Sequence, residues 1–155
     1  MRLYQGEIYI ENVKEFLKKL PDGCVLVNAD YVVDIESLGF AVNKALKSWQ
    51  EGKRISRSLS MEILLHISAT RQINRAVKIG VGEGENRVIV VDLNDCSELL
   101  RKHGFREGQV LQMDEEKISR LKEFYEIADE ELDMVGEEKL GMLVRERMAL
   151  FAASK

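Results

Sequence analysis

The chain has 155 residues, of which 45% are apolar and 32% charged, and its formal net charge is −4. That length and balance suit one folded domain with its own core and exclude intrinsic disorder. The longest uncharged run, Ile63 to Thr70, has eight residues, against the roughly 20 apolar residues of a spanning helix, so no membrane partner is expected.

Gly6 to Ile10 alternates polar and apolar residues and predicts a short strand. Asn12 suits the N-cap of a helix that turns Val13, Phe16, Leu17 and Leu20 to one side. Pro21-Asp22-Gly23 is a turn, and Cys24 to Val27 a buried strand. Behind Asp34, a good N-cap, Ile35, Leu38, Val42, Ala45, Leu46 and Trp49 recur at helical steps until Gly52. Lys53 to Ser58 is a basic connector. Ser58, Ser60 and Glu62 then open a short helix through Ile63, Leu64, Leu65 and Ile67. A second short helix follows over Asn74 to Val81, with Ile73, Ala76, Val77 and Ile79 expected inward.

Arg87 to Asp92 is the strongest strand, and its unbroken β-branched middle predicts a central position covered on both faces. Asn94 or Asp95 caps a helix over Leu99 and Leu100, Gly104 and Gly108 bracket a turn, and Gln109 to Gln112 is expected as a final edge strand. Asp114 caps a helix with Ile118, Leu121, Phe124 and Tyr125 on one stripe. Leu140, Leu143, Val144, Met148 and Phe151 mark a last helix. The expected fold is mixed α/β: a single domain over residues 1–155, with a small mixed sheet of short strands surrounded by about six helices.

Charge is unevenly spread. Lys44 to Lys78 holds eight basic residues against two acidic ones, a net of +6 over 35 residues. Asp114 to Glu138 holds eleven acidic against three basic, a net of −8 over 25. A local basic patch can bind phosphates whatever the total charge, though both stretches can also be solvated helix faces.

Signs of catalysis are sparse. Gly80-x-Gly82-x-Gly84 follows a predicted helix and precedes a strand, the reverse of a phosphate-binding loop, and lacks the lysine of a Walker motif. His66 and His103 show no metal-ligand spacing with Cys24 and Cys96, so no metal or cofactor is expected. Two cysteines do not make a disulfide framework, and the N-terminus carries no apolar signal core. A reducing, cytoplasmic setting is therefore expected.

One series stands out: Asn43-Lys44-Ala45, Ser58-Leu59-Ser60-Met61-Glu62-Ile63, Arg71-Gln72-Ile73, then Gly80-Val81 and the strand Val88 to Val91. It resembles the kinase-binding subunits of the KEOPS complex, the Cgi/TPRKB family, closely over about a third of the chain and loosely after Asp92. The resemblance implies a non-catalytic subunit that binds and stimulates a small atypical kinase-like ATPase and meets the other subunits through it. It also implies that the subunit holds the 3′ CCA end of transfer RNA, supporting threonylcarbamoyladenosine modification.

A single-stranded RNA end is gripped by cations on phosphates and by seats for splayed bases. Lys53, Arg54, Arg57, Arg71, Arg75 and Lys78 supply the cations, Gln72 and Asn74 polar groups for base edges, and Ile73 an apolar seat. Trp49 reads as core. The stripe Leu140, Leu143, Val144 and Met148 is expected to bind the kinase, or else to be internal core. The alternatives are a small enzyme with a carboxylate or Cys–His site, and an assembly protein with no RNA role.

Overall fold

Two long strands carry the sheet. In the computed structural model, which describes residues 1–155, β1 (Arg2–Ile10) and β3 (Gly84–Asp92) pair antiparallel, from Arg2 opposite Asp92 to Ile10 opposite Gly84. The strand β2 (Cys24–Asn28) lies on the other side of β3, and the two-residue β4 (Arg106–Glu107) on the other side of β1. The strand order is thus β2-β3-β1-β4, and every pairing is antiparallel.

The central strand shows why its sequence lacks polar alternation. Ile89 and Val91 turn to one face and join Val25 and Val27 in the larger core. That core lies under α2 (Ile35–Gln50), α3 (Leu59–Ser68), α6 (Glu115–Tyr125) and α8 (Leu140–Ala153). Val88 and Val90 turn to the other face and meet Ile8, Ile10, Leu26, Phe16 and Leu100 beneath α1 (Val13–Lys19) and α5 (Ser97–Lys102). All four β3 residues are fully buried, each contributing about 1.5–3 kcal/mol of apolar burial.

Three of the expected caps are in place: Asn12, Asp34 and Asp114 each accept a backbone N–H from the residue three positions on. Neither Asn94 nor Asp95 caps α5; its N-cap is Cys96, which has no side-chain cap, and the Asp92 carboxylate accepts the Asn94 and Cys96 N–H groups. Elsewhere the chain departs from its sequence pattern. Strand β1 begins at Arg2, four residues before the alternating stretch. Gln109 to Gln112 forms no edge strand. Instead the Gln5 side chain accepts the N–H groups of Val110 and Leu111, at 2.7 and 3.1 Å, doing what a ladder partner would do. Helices number eight, including the four-residue α4 (Ile73–Ala76) and α7 (Asp129–Val135).

Cys24 and Cys96 form a disulfide across 72 residues, with Cα atoms 6.5 Å apart. The sheet register brings them together: Cys24 opens β2 opposite Asp92, and Cys96 stands four residues on, at the start of α5. The pair corrects the expectation of free thiols, and the cysteines no longer argue for a reducing compartment.

Candidate functional site

The basic stretch runs over the end of α2, the connector at residues 51–58, α3, α4 and a 3-10 turn at Val77–Ile79. The entry into α3 is closed from within. Ser58 Oγ accepts the Met61 N–H at 2.9 Å, and the Asp22 carboxylate accepts those of Leu59 and Ser60 at 2.9 and 2.8 Å. Burial alone would raise the Asp22 pKa, but the Ser60 and Leu59 amides hold it below its usual value. The first turn of α3 therefore has no free donors for an outside anion. At the other end Ala69 adopts the left-handed conformation, φ 53°, and turns the chain towards α4.

Beneath the connector sits a buried charge cluster. Glu62 stands in the first turn of α3, as expected, but turns inward and is fully buried. Its Oε1 accepts the N–H of Ile55 at 3.0 Å and of Ser56 at 2.7 Å, and its Oε2 meets Lys155 Nζ at 2.6 Å. Burial pushes the Glu62 carboxyl up, and the Lys155 and Ser56 hydrogen bonds more than offset this, leaving it below the normal carboxylate value. His66, also buried, meets Lys155 Nζ through Nε2 at 2.8 Å and packs edge-on against Phe151. Burial, then the Lys155 ammonium, push its pKa down to about 4, against the pull of Glu62.

None of the eight basic residues from Lys44 to Lys78 forms an ion pair within the chain, whereas Arg2, Lys18, Arg106, Lys122, Arg145, Arg147 and Lys155 all do. Of the two acids in the stretch, Glu62 is buried and paired with Lys155, which leaves Glu51 at the surface. The cations thus have no counter-charge within the chain, and six of the eight, all but Lys44 and Arg75, are exposed, the condition for attracting a polyanion.

The structure sorts the expected RNA-binding residues into groups. Lys53, Arg57, Asn74 and Lys78 are exposed. Arg54 stacks over the ring of Trp49, 3.7 Å from its centroid, and its Nε donates to the Trp49 carbonyl. Trp49 is therefore half-buried at the surface, not in the core. Arg71 donates to the Ser154 carbonyl at 3.1 Å. Arg75 donates to the Phe124 carbonyl and lies 4.8 Å from the centroid of the Phe124 ring.

Two clefts, each of about 710 Å³, adjoin these residues. One is mainly apolar, with Leu17, Ser58, Met61, Leu64, Val77 and Gly80 among its lining. The end of the connector and the 3-10 turn both line it, and exposed Arg57 and Lys78 are the chain neighbours of its wall residues Ser58 and Val77. The other is more polar and takes in Gln72, Arg75 and Arg147. Contrary to the inward expectation, Ile73 is 54% and Val77 50% exposed, while Ala76 and Ile79 are buried. A four-residue helix followed by a 3-10 turn does not keep one straight stripe.

The last helix is corrected more sharply. Leu140, Leu143, Val144 and Met148 are all at most 5% exposed and belong to the larger core, so they form no free interface. The outward stripe of α8 is Met142, Glu146, Ala149 and Leu150, with Leu150 65% exposed. The helix sits tightly on α2, where Arg145 donates to Ser37 Oγ at 3.0 Å. As for catalysis, the disulfide removes both thiols from a Cys–His pair, and His103 packs against Phe16 in the opposite core.

Sequence reasoning missed Glu62 as a buried anchor, together with Asp22 and Lys155. One signal was present: Glu62 stands one turn before Leu65 and His66, on the buried side of α3.

Fold and surface define a small α/β domain that turns its buried ion pair inward and presents a run of unpaired cations beside an apolar cleft. The chain belongs to the family described as kinase binding protein CGI-121, whose model matches residues 9–151. It is 31% identical over 115 residues to the KEOPS complex subunit Cgi121 of Pyrococcus abyssi, covering 71% of this chain and 66% of that protein. To the EKC/KEOPS complex subunit TPRKB of Danio rerio it is 32% identical over 95 residues, covering 59% of this chain and 54% of that one. The match spans less than two thirds of the length of either relative.

Proposed function

We propose that this chain is a non-catalytic, kinase-binding subunit of a cytoplasmic KEOPS-type complex, and that its basic stretch holds the 3′ CCA end of transfer RNA. The observation that carries the RNA reading is the set of unpaired cations flanking an apolar cleft. Such a site suits an unstacked single-stranded end: bases leave water for Leu17, Met61 and Val77, while Arg57 and Lys78 meet the phosphates. Arg54 on Trp49 offers a planar cation beside it. Lys53, Arg71, Gln72, Asn74 and Arg75 extend the surface towards the polar cleft.

The kinase docks on the outward stripe of α8, where Met142 and Leu150 are exposed apolar side chains on one helix face. Support for this partner comes from the family's description and the relatives' names. The remaining subunits are reached through the kinase.

Co-purification with the kinase subunit from the same organism tests the partner. Leu150→Glu abolishes the complex and leaves the fold intact, since that side chain is in solvent, and retained binding rejects this face. The kinase–subunit complex, not this chain alone, carries any ATPase activity, and activity of the isolated chain would contradict the non-catalytic role.

A further inference from the structure

The connector that carries Lys53, Arg54 and Arg57 is tied at its start, where Arg54 lies on Trp49, and its middle is held by one buried side chain. At its two ends the Lys53 N–H donates to the Ser48 carbonyl and the Ser58 N–H to Ser56 Oγ; in between, the bonded backbone N–H groups are those of Ile55 and Ser56, and both donate to Glu62. Glu62 is fully buried, so its charge must be compensated locally or the carboxylate is heavily penalised. The compensating cation comes from the far end of the chain: Lys155, with only 4% of its side chain exposed. Lys155 also donates to His66 Nε2, since an ammonium has no acceptor; His66 is therefore neutral, with its proton on a buried Nδ1 that has no partner. The cluster is closed to solvent and electrically balanced.

We propose that Lys155 is a positioning residue for RNA binding. By neutralising Glu62, it lets that carboxylate hold the Ile55 and Ser56 amides, and so fixes the path along which the connector cations are presented. The inference rests on the RNA reading above. Lys155 is too buried to touch a phosphate itself, so its influence passes through Glu62 and the connector backbone.

The test compares the unaltered chain, Lys155→Met and the double variant Lys155→Met/Glu62→Gln. Amide hydrogen exchange is read at Ile55 and Ser56, and transfer-RNA affinity is read across a salt series. Lys155→Met keeps the side-chain stem and strands the Glu62 charge. It should lower protection at both amides by about tenfold or more and flatten the salt slope by about 0.7 for each phosphate contact given up. The double variant should restore both, because a neutral glutamine Oε1 accepts the two amides without a counter-charge. Unchanged protection in Lys155→Met overturns the latch. Lost protection with an unchanged salt slope overturns the positioning role, and a double variant that stays impaired shows that Lys155 acts by its own charge. If Lys155→Met unfolds, the double variant decides: an unaltered slope supports the proposal and a flattened one overturns it. If the unaltered chain binds no transfer RNA, the RNA reading and the positioning role both fall, while the exchange data still report whether the latch exists.

Discussion

The stretches Lys44 to Lys78 and Asp114 to Glu138 carry opposite net charge, +6 over 35 residues and −8 over 25, and the fold uses them differently. In the acidic stretch six of the eleven carboxylates stand at the starts of α6 and α7. Asp114 caps α6, with Glu115 and Glu116 in its first turn, and Asp129, Glu130 and Glu131 occupy the first turn of α7. Asp129 pairs with Lys122, and Glu131 pairs with Arg147 while its Oε1 also accepts the Ala128 N–H. In the basic stretch no cation has an ionic partner, and most stand between helices or on their outer faces. Charge spent on helix ends belongs to the fold, whereas charge left over is available to a ligand.

The contrast can be broken most violently at the one acid buried inside the basic stretch. Glu62→Ala strands Lys155 without a counter-charge and should cost about 3–5 kcal/mol, read as a fall in the urea midpoint. Glu51→Ala, at the exposed acid, should stay within about 0.5 kcal/mol. Equal effects would show that the Glu62–Lys155 pair is not buried.

Next in size is the pH response of the same cluster. His66 has a folded pKa of about 4, below its unfolded value near 6.5, so the unfolded chain binds the proton more readily. Its contribution is therefore complete above about pH 6.5 and is lost as pH falls towards 4, a change of up to about 3 kcal/mol. Glu62, whose folded pKa is also depressed, acts in a lower window: its contribution is present above the unfolded carboxylate value of about 4.3 and lost below it. His66→Gln should flatten the stability profile between pH 6.5 and 4. A profile unchanged by that substitution would remove His66 as the titrating group.

Smaller effects separate structural from available charge. Asp114→Ala removes a cap and should cost about 1 kcal/mol without altering transfer-RNA binding. Arg57→Glu should do the reverse, leaving the urea midpoint in place and weakening binding. If both variants shift the same property, the division between the two stretches fails.

Much of this was legible in sequence. The four β-branched residues of β3, the α2 stripe and the three capping residues each follow from a local rule, and each is where that rule puts it. The resemblance was carried by the same middle segment that proves to be the unpaired surface. What was not legible depended on distant partners. The disulfide needs the β2–β3 register, and the Glu62 anchor needs a lysine 93 residues away. The α8 stripe failed for another reason. That helix has apolar residues on both sides, with Leu143 and Met148 facing in and Met142 and Leu150 facing out, so periodicity alone does not choose the buried face.

The central claim is that the unpaired cations beside the apolar cleft hold the end of transfer RNA. It is tested most directly by the salt dependence of binding, measured for intact and CCA-trimmed transfer RNA with the unaltered chain and with Arg57→Glu/Lys78→Glu. If each side chain meets one phosphate, the double variant should flatten the slope for intact RNA by about 1.4, and trimming should weaken binding by the unaltered chain to a similar degree. Equal binding of trimmed and intact RNA, or a slope the double variant leaves unchanged, would contradict the account.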